Sequence, residues 1–74
     1  MIHKVSIVIE KDEAGYFAYS PELKGCHSQG STFEEANDNI KEAIELYIET
    51  LTTEEMSAIF SKDIFTSSYE VAFA

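Results

Sequence analysis

The residues of this chain most suggestive of chemistry are Cys26 and His27, adjacent in sequence, and a row of carboxylates at Glu35, Asp38, Glu42, Glu45 and Glu49. A thiol and an imidazole form a nucleophile and base only within hydrogen-bond reach, about 2.6–3.2 Å. Cys26 and His27 fall in a segment that reads as a strand, where neighbouring side chains point to opposite faces. They are not expected to act together, and Cys26 reads as a small buried hydrophobe. His3 and His27 are the only histidines and Cys26 the only cysteine, too few for a zinc site. The carboxylates follow no calcium-loop spacing. No catalytic residue, metal or cofactor is expected, and the chain does not read as an enzyme.

The carboxylate row steps by three, four, three and four residues. At about 100° per residue this makes one ridge along a helix. The apolar positions Phe33, Ala36, Ile40, Ala43, Ile44, Tyr47, Ile48 and Leu51 recur at the same spacings on the opposite side. The ridge therefore faces away from the core. It suits a docking rail for a basic protein, and it suits a solvated helix face as well. Glu54 and Glu55 fit the first turn of a second, short helix, where acids complement the dipole.

Composition narrows the possible partners. The 74 residues carry fourteen acidic side chains against five lysines and no arginine, a net charge of -9. Phosphate contacts require clustered Lys or Arg, and these lysines are scattered, so no direct nucleic-acid binding is expected. A basic protein is favoured, because opposite potentials speed encounter. No apolar run approaches the roughly 20 residues that span a bilayer. With one cysteine and no leader pattern, the chain reads as a cytoplasmic domain over residues 1–74. A core this small gains from self-association, which makes a homo-oligomer, dimer or tetramer, the expectation.

The elements that position these residues follow from local signals. Ile2 to Glu10 alternates as a strand, with Val5, Ile7 and Ile9 on one face. Gly15 closes a turn, and Tyr16 to Ser20 forms a second strand that Pro21 ends. Pro21 to Gly25 turns the chain into a third strand, Cys26 to Ser31, with Gly30 at its exit. Thr32 and Glu35 make a capping box ahead of the long helix, and a short helix is expected over Glu54 to Phe60. Tyr69 to Phe73 alternates as a last strand. The class is α+β, in the order β-β-β-α-β. One helix covers one sheet face only, leaving the face assigned to Val8, Tyr16, Ala18 and Ala72 as a candidate interface.

The run Tyr16-Phe17-Ala18-Tyr19-Ser20-Pro21-Glu22-Leu23-Lys24-Gly25-Cys26 resembles the HicB-like antitoxin family of type II toxin–antitoxin systems, as do Ser28 to Ala36 and the helix from Asn39 to Tyr47. The resemblance implies a partial ribonuclease H-like domain, with the last strand beside the first. It implies binding to a small basic HicA-type ribonuclease toxin and blockage of its active site, frequently as an oligomer. Many family members carry a C-terminal DNA-binding module; the sequence to Ala74 is expected to be a short form without one. The partner-contact residues expected are Glu22 in the turn and the ridge Glu35, Asp38, Glu42, Glu45 and Glu49. Gly15, Pro21, Gly25, Gly30 and Thr32 are expected to shape the chain. The alternative reading is a stand-alone homo-oligomeric scaffold or small-ligand sensor with no toxin.

Overall fold

A computed structural model describes residues 2–73. The order of elements is β1 (Val8–Asp12), β2 (Gly15–Tyr19), β3 (His27–Gly30), α1 (Phe33–Glu49) and α2 (Thr53–Phe60). The strands form an antiparallel sheet in the order β1-β2-β3. The class is α+β, as the patterning predicts, with two helices.

A two-residue loop, Glu13-Ala14, joins β1 to β2, with Asp12 paired to Gly15 and Val8 to Tyr19. The Ala14 amide donates to Asp12 Oδ1 at 2.8 Å, a local side-chain bond that favours turns. Gly15 has φ +133°, open to glycine and strained for other residues. This register accounts for the late start of β1, expected from Ile2. Opposite Val8 the second strand ends at Tyr19, because Ser20-Pro21 leaves the sheet, so residues 2–7 have no strand to pair with on that side.

The turn between β2 and β3 is built around Leu23. The Leu23 amide donates to Ser20 O at 3.2 Å, Cys26 N to Leu23 O at 2.9 Å, and Ser20 N to Cys26 O at 3.1 Å. Gly25 takes φ +82°. These bonds fold Leu23 inward, where it joins Ala18, Cys26, Ala36, Ile40 and Ile44 in the buried core.

Thr32 caps α1 as expected, its hydroxyl accepting from Glu35 N at 3.1 Å. The Glu35 carboxylate accepts from Ser31 N at 3.0 Å. Ala36, Ile40 and Ile44 are the buried positions of α1, and Phe33, expected in the stripe, is half exposed. The helix lies close to the sheet because its floor is small. A Cβ added at Gly30 would stand 2.5 Å from Ala36 N. The Asn39 amide donates to Gln29 O at 2.9 Å, and Tyr47 Oη donates to Lys24 O at 3.0 Å. The short helix α2 opens with a full capping box between Thr52 and Glu55. It packs Ile59 toward the core and stacks Phe60 on His3 at 4.3 Å between ring centroids.

The last strand corrects the sequence reading. Tyr69 to Phe73 forms no strand beside β1, and residues 62–73 have no regular structure. The order is β-β-β-α-α, not β-β-β-α-β. Alternation alone makes a segment competent for a strand, but pairing needs an edge within reach. The radius of gyration, 14.4 Å, exceeds the roughly 11 Å of a compact chain this long, and the longest dimension is 49 Å.

Candidate functional site: an acidic ridge and an open aromatic face

The register decides which side chains share a face, since directly opposed residues of an antiparallel pair point the same way. Ala18 pairs with Ile9 and Ser28, and Tyr16 with Lys11 and Gly30. This is the face beneath α1. Ala18 is fully buried, and Tyr16 meets Phe33 of α1 edge-on at 6.5 Å, with Lys11 Nζ 5.7 Å from its ring centroid. The assignment of Tyr16 and Ala18 to the uncovered face is thus overturned. Ala18, Ser28 and Gly30 are small because the helix rests on them. Ala72 belongs to no strand, so it is not part of that face either.

The uncovered face carries Phe17, Tyr19 and His27, with Val8, Glu10 and Gln29 around them. Of the residues assigned to it from sequence, Val8 alone belongs there. The Phe17 ring lies 6.0 Å from Tyr19 and 5.6 Å from His27. Beside them is a shallow depression of about 460 Å³, bounded by Tyr19, Pro21, Lys24 and Cys26. Sequence reasoning missed this aromatic group. The small residues at positions 18, 28 and 30 were the available signal, since they mark the side that a helix approaches.

Glu22 also departs from expectation. It is 7% exposed, and both its carboxylate oxygens accept from Ser6 N, at 3.0 and 2.9 Å, while Ser6 Oγ donates to it at 3.1 Å. It ties the N-terminal segment to the β2–β3 turn and has no free face for a partner. Cys26, just ahead of β3, is buried, whereas His27 at the start of the strand is exposed. Burial pushes the Cys26 thiol above its usual range. Among the described residues, no three His, Cys, Asp or Glu side chains converge to hold a metal, and no helix is long and apolar enough to cross a membrane.

Asp38, Glu42, Glu45 and Glu49 are exposed along α1, with Leu46 exposed beside them. Glu35 is exposed as well, but part of its carboxylate serves the helix start. The row is centred roughly 180° around the helix from Ala36, Ile40 and Ile44 at 100° per residue. It therefore points away from the sheet, while the aromatic face lies on the sheet's other side. The molecule is two layers thick, with one surface acidic and the opposite surface aromatic. The last turn of α1 has no basic residue and ends at Glu49, against the preference of the helix dipole for cations there.

The described residues thus present two exposed surfaces, an acidic one along α1 and an aromatic one on the far side of the sheet. Residues 5–74 match the family model described as the HicB-like antitoxin of bacterial toxin-antitoxin systems. The chain belongs to the HicB-like antitoxin family. It is 53% identical to a UPF0150 protein of Helicobacter pylori over 70 residues, covering 95% of this chain and 97% of that one. It is 59% identical to a UPF0150 protein of Synechocystis over 54 residues, 72% of this chain and 68% of the relative. An Archaeoglobus fulgidus UPF0150 protein is 53% identical over 47 residues, 62% of this chain and 68% of that protein. No solved structure gives a significant match. The family supports an antitoxin role in general terms.

Proposed function

We propose that this HicB-like protein neutralises a small basic ribonuclease toxin of the HicA type by docking its acidic α1 ridge over the toxin's active site. The observation that carries the reading is the row Asp38, Glu42, Glu45 and Glu49, exposed on the helix side opposite the core. Like charges at these spacings cost the helix roughly 0.2–0.5 kcal/mol per pair, and a cationic partner removes that cost. The net charge of -9 adds long-range attraction, which raises the association rate at low salt. The protein acts by binding and performs no catalysis of its own.

The test is titration of the co-expressed basic toxin with wild type and with a Glu42→Gln/Glu45→Gln variant across a salt series. At about 0.5–1 kcal/mol per exposed charge, affinity falls roughly five- to thirty-fold, and its salt dependence becomes shallower. Unchanged affinity at every salt concentration overturns the ridge as the docking surface. Failure of wild type to suppress RNA cleavage overturns the antitoxin reading. The second reading, a homo-oligomeric scaffold or small-ligand sensor, draws on the aromatic face of Phe17, Tyr19 and His27.

A further inference from the structure

We infer that the C-terminal segment Tyr69–Phe73 is an exchange strand that adds to the free edge of β1 in a second copy of this chain. Phe65, Tyr69 and Phe73 are 90%, 89% and 94% exposed, and Val71 is exposed with them. A monomer in water rarely leaves so much contiguous apolar surface uncovered. The segment alternates, with Tyr69, Val71 and Phe73 on one side and Glu70 and Ala72 on the other, the period of a half-buried strand. Among the described residues, its backbone takes part in no strand pairing.

The sheet has one edge suited to receive it. The β3 edge is four residues long and polar, and Asn39 already binds its Gln29 carbonyl. Short, polar and occupied edges resist strand addition. Among the described residues, no strand pairs with the outer edge of β1. It carries Ile9, and the segment leading into it carries Val5 and Ile7; all three are packed on the core yet only partly buried. An added strand presenting Tyr69, Val71 and Phe73 toward the helix side completes their cover.

Charge and area select a second copy over the toxin. Residues 62–73 hold Lys62 against Asp63 and Glu70, a net -1, which leaves -8 of the total -9 on the rest of the chain. A basic partner is drawn to that remainder, not to the nearly neutral tail. Aromatic side chains bury about 150–250 Å² each, so two reciprocal tails contribute on the order of 1,000 Å² of apolar surface. The receiving flanks contribute a similar area, which reaches the roughly 1,200–2,000 Å² of stable interfaces. Exchange about a two-fold axis uses the same pair of surfaces twice and closes the assembly.

The test is sedimentation of the full chain without toxin, for wild type, Glu70→Pro and Val71→Pro. The two prolines bracket both parities of the strand, so one of them removes a paired amide. Wild type is expected at twice the chain mass or an even multiple, with β1 amides gaining exchange protection as concentration rises. At least one proline variant is expected to become monomeric, with its helical circular dichroism retained and that protection lost. A monomeric wild type overturns the inference, whether the tail is folded onto its own β1 or free. An oligomer unmoved by either proline overturns it equally and points to the aromatic face. Because no toxin is present in the sedimentation experiment, its failure leaves the antitoxin reading intact.

Discussion

The carboxylate of Glu22 holds Ser6 by its amide and its hydroxyl at once, at 2.9–3.1 Å. Sixteen residues separate the two, so this bond fastens the segment preceding β1 to the β2–β3 turn. A buried carboxylate is tolerable only where donors satisfy it, and the Ser6 amide and hydroxyl do so. Glu22 is thus a structural clamp within a turn that also inserts Leu23 into the core.

Glu22→Gln keeps the shape and removes the charge. Hydrogen bonds to charged groups contribute about 1.5–3 kcal/mol against about 0.5–1.5 for neutral ones. The expected loss is about 1–2 kcal/mol, or roughly a 5–15 °C fall in Tm for a chain this small. Ser6→Ala is expected to cost about 0.5–1 kcal/mol, and the two losses should be less than additive in a double-mutant cycle by thermal denaturation. Toxin affinity measured below the transition should not change. A large affinity loss there would make Glu22 a contact residue after all.

Two glycines should respond differently to alanine. At Gly30 a Cβ meets the Ala36 amide at 2.5 Å and Glu35 backbone at 2.9 Å, so α1 must lift from the sheet. At Gly25 a Cβ meets nothing within 4 Å, and the cost is the left-handed backbone at φ +82° alone. Overpacking at Gly30 should cost about 3 kcal/mol, and the backbone at Gly25 about 1 kcal/mol. Urea denaturation of the two variants checks the order.

The ridge should trade stability for binding. Glu45→Lys removes like-charge contacts with Glu42 and Glu49 and places a cation toward the end of α1. Stability should rise by about 0.5–1 kcal/mol, while affinity for a basic partner falls. A variant that gains in Tm and holds its affinity would show the ridge to be a solvated face.

Burial of Cys26 gives a pH dependence with a definite sign. The folded thiol titrates above its ordinary value of 9.0 because burial disfavours the thiolate. Below about pH 9 the thiol is protonated in both states, and its contribution to stability is fully present. As pH rises through the unfolded value the unfolded chain ionises first, so stability falls toward the folded pKa. Iodoacetamide at pH 8 should modify native protein far more slowly than protein in urea, and Cys26→Ala should flatten the alkaline loss of stability.

Much of the fold was legible in local chemistry. Thr32 and Glu35 announced the start of α1, Pro21 the end of β2, and the spacing of Ala36, Ile40 and Ile44 its buried side. Each signal involves residues a few positions apart, so the sequence alone determines it. The acidic ridge was legible for the same reason, because helical geometry puts Asp38, Glu42, Glu45 and Glu49 in one row whatever the helix packs against. Family membership was likewise carried by the run from Tyr16 to Ala36.

Tertiary structure decided the rest. Whether Ala18 or Phe17 faces the helix depends on strand register, and a one-residue change of parity exchanges the two faces. The role of Glu22 depends on Ser6, which the turn brings to it from sixteen residues away. The state of Tyr69 to Phe73 depends on a sheet edge that the segment's own sequence does not contain. Alternation makes those residues able to form a strand, but only an edge with unpaired backbone groups can make them one.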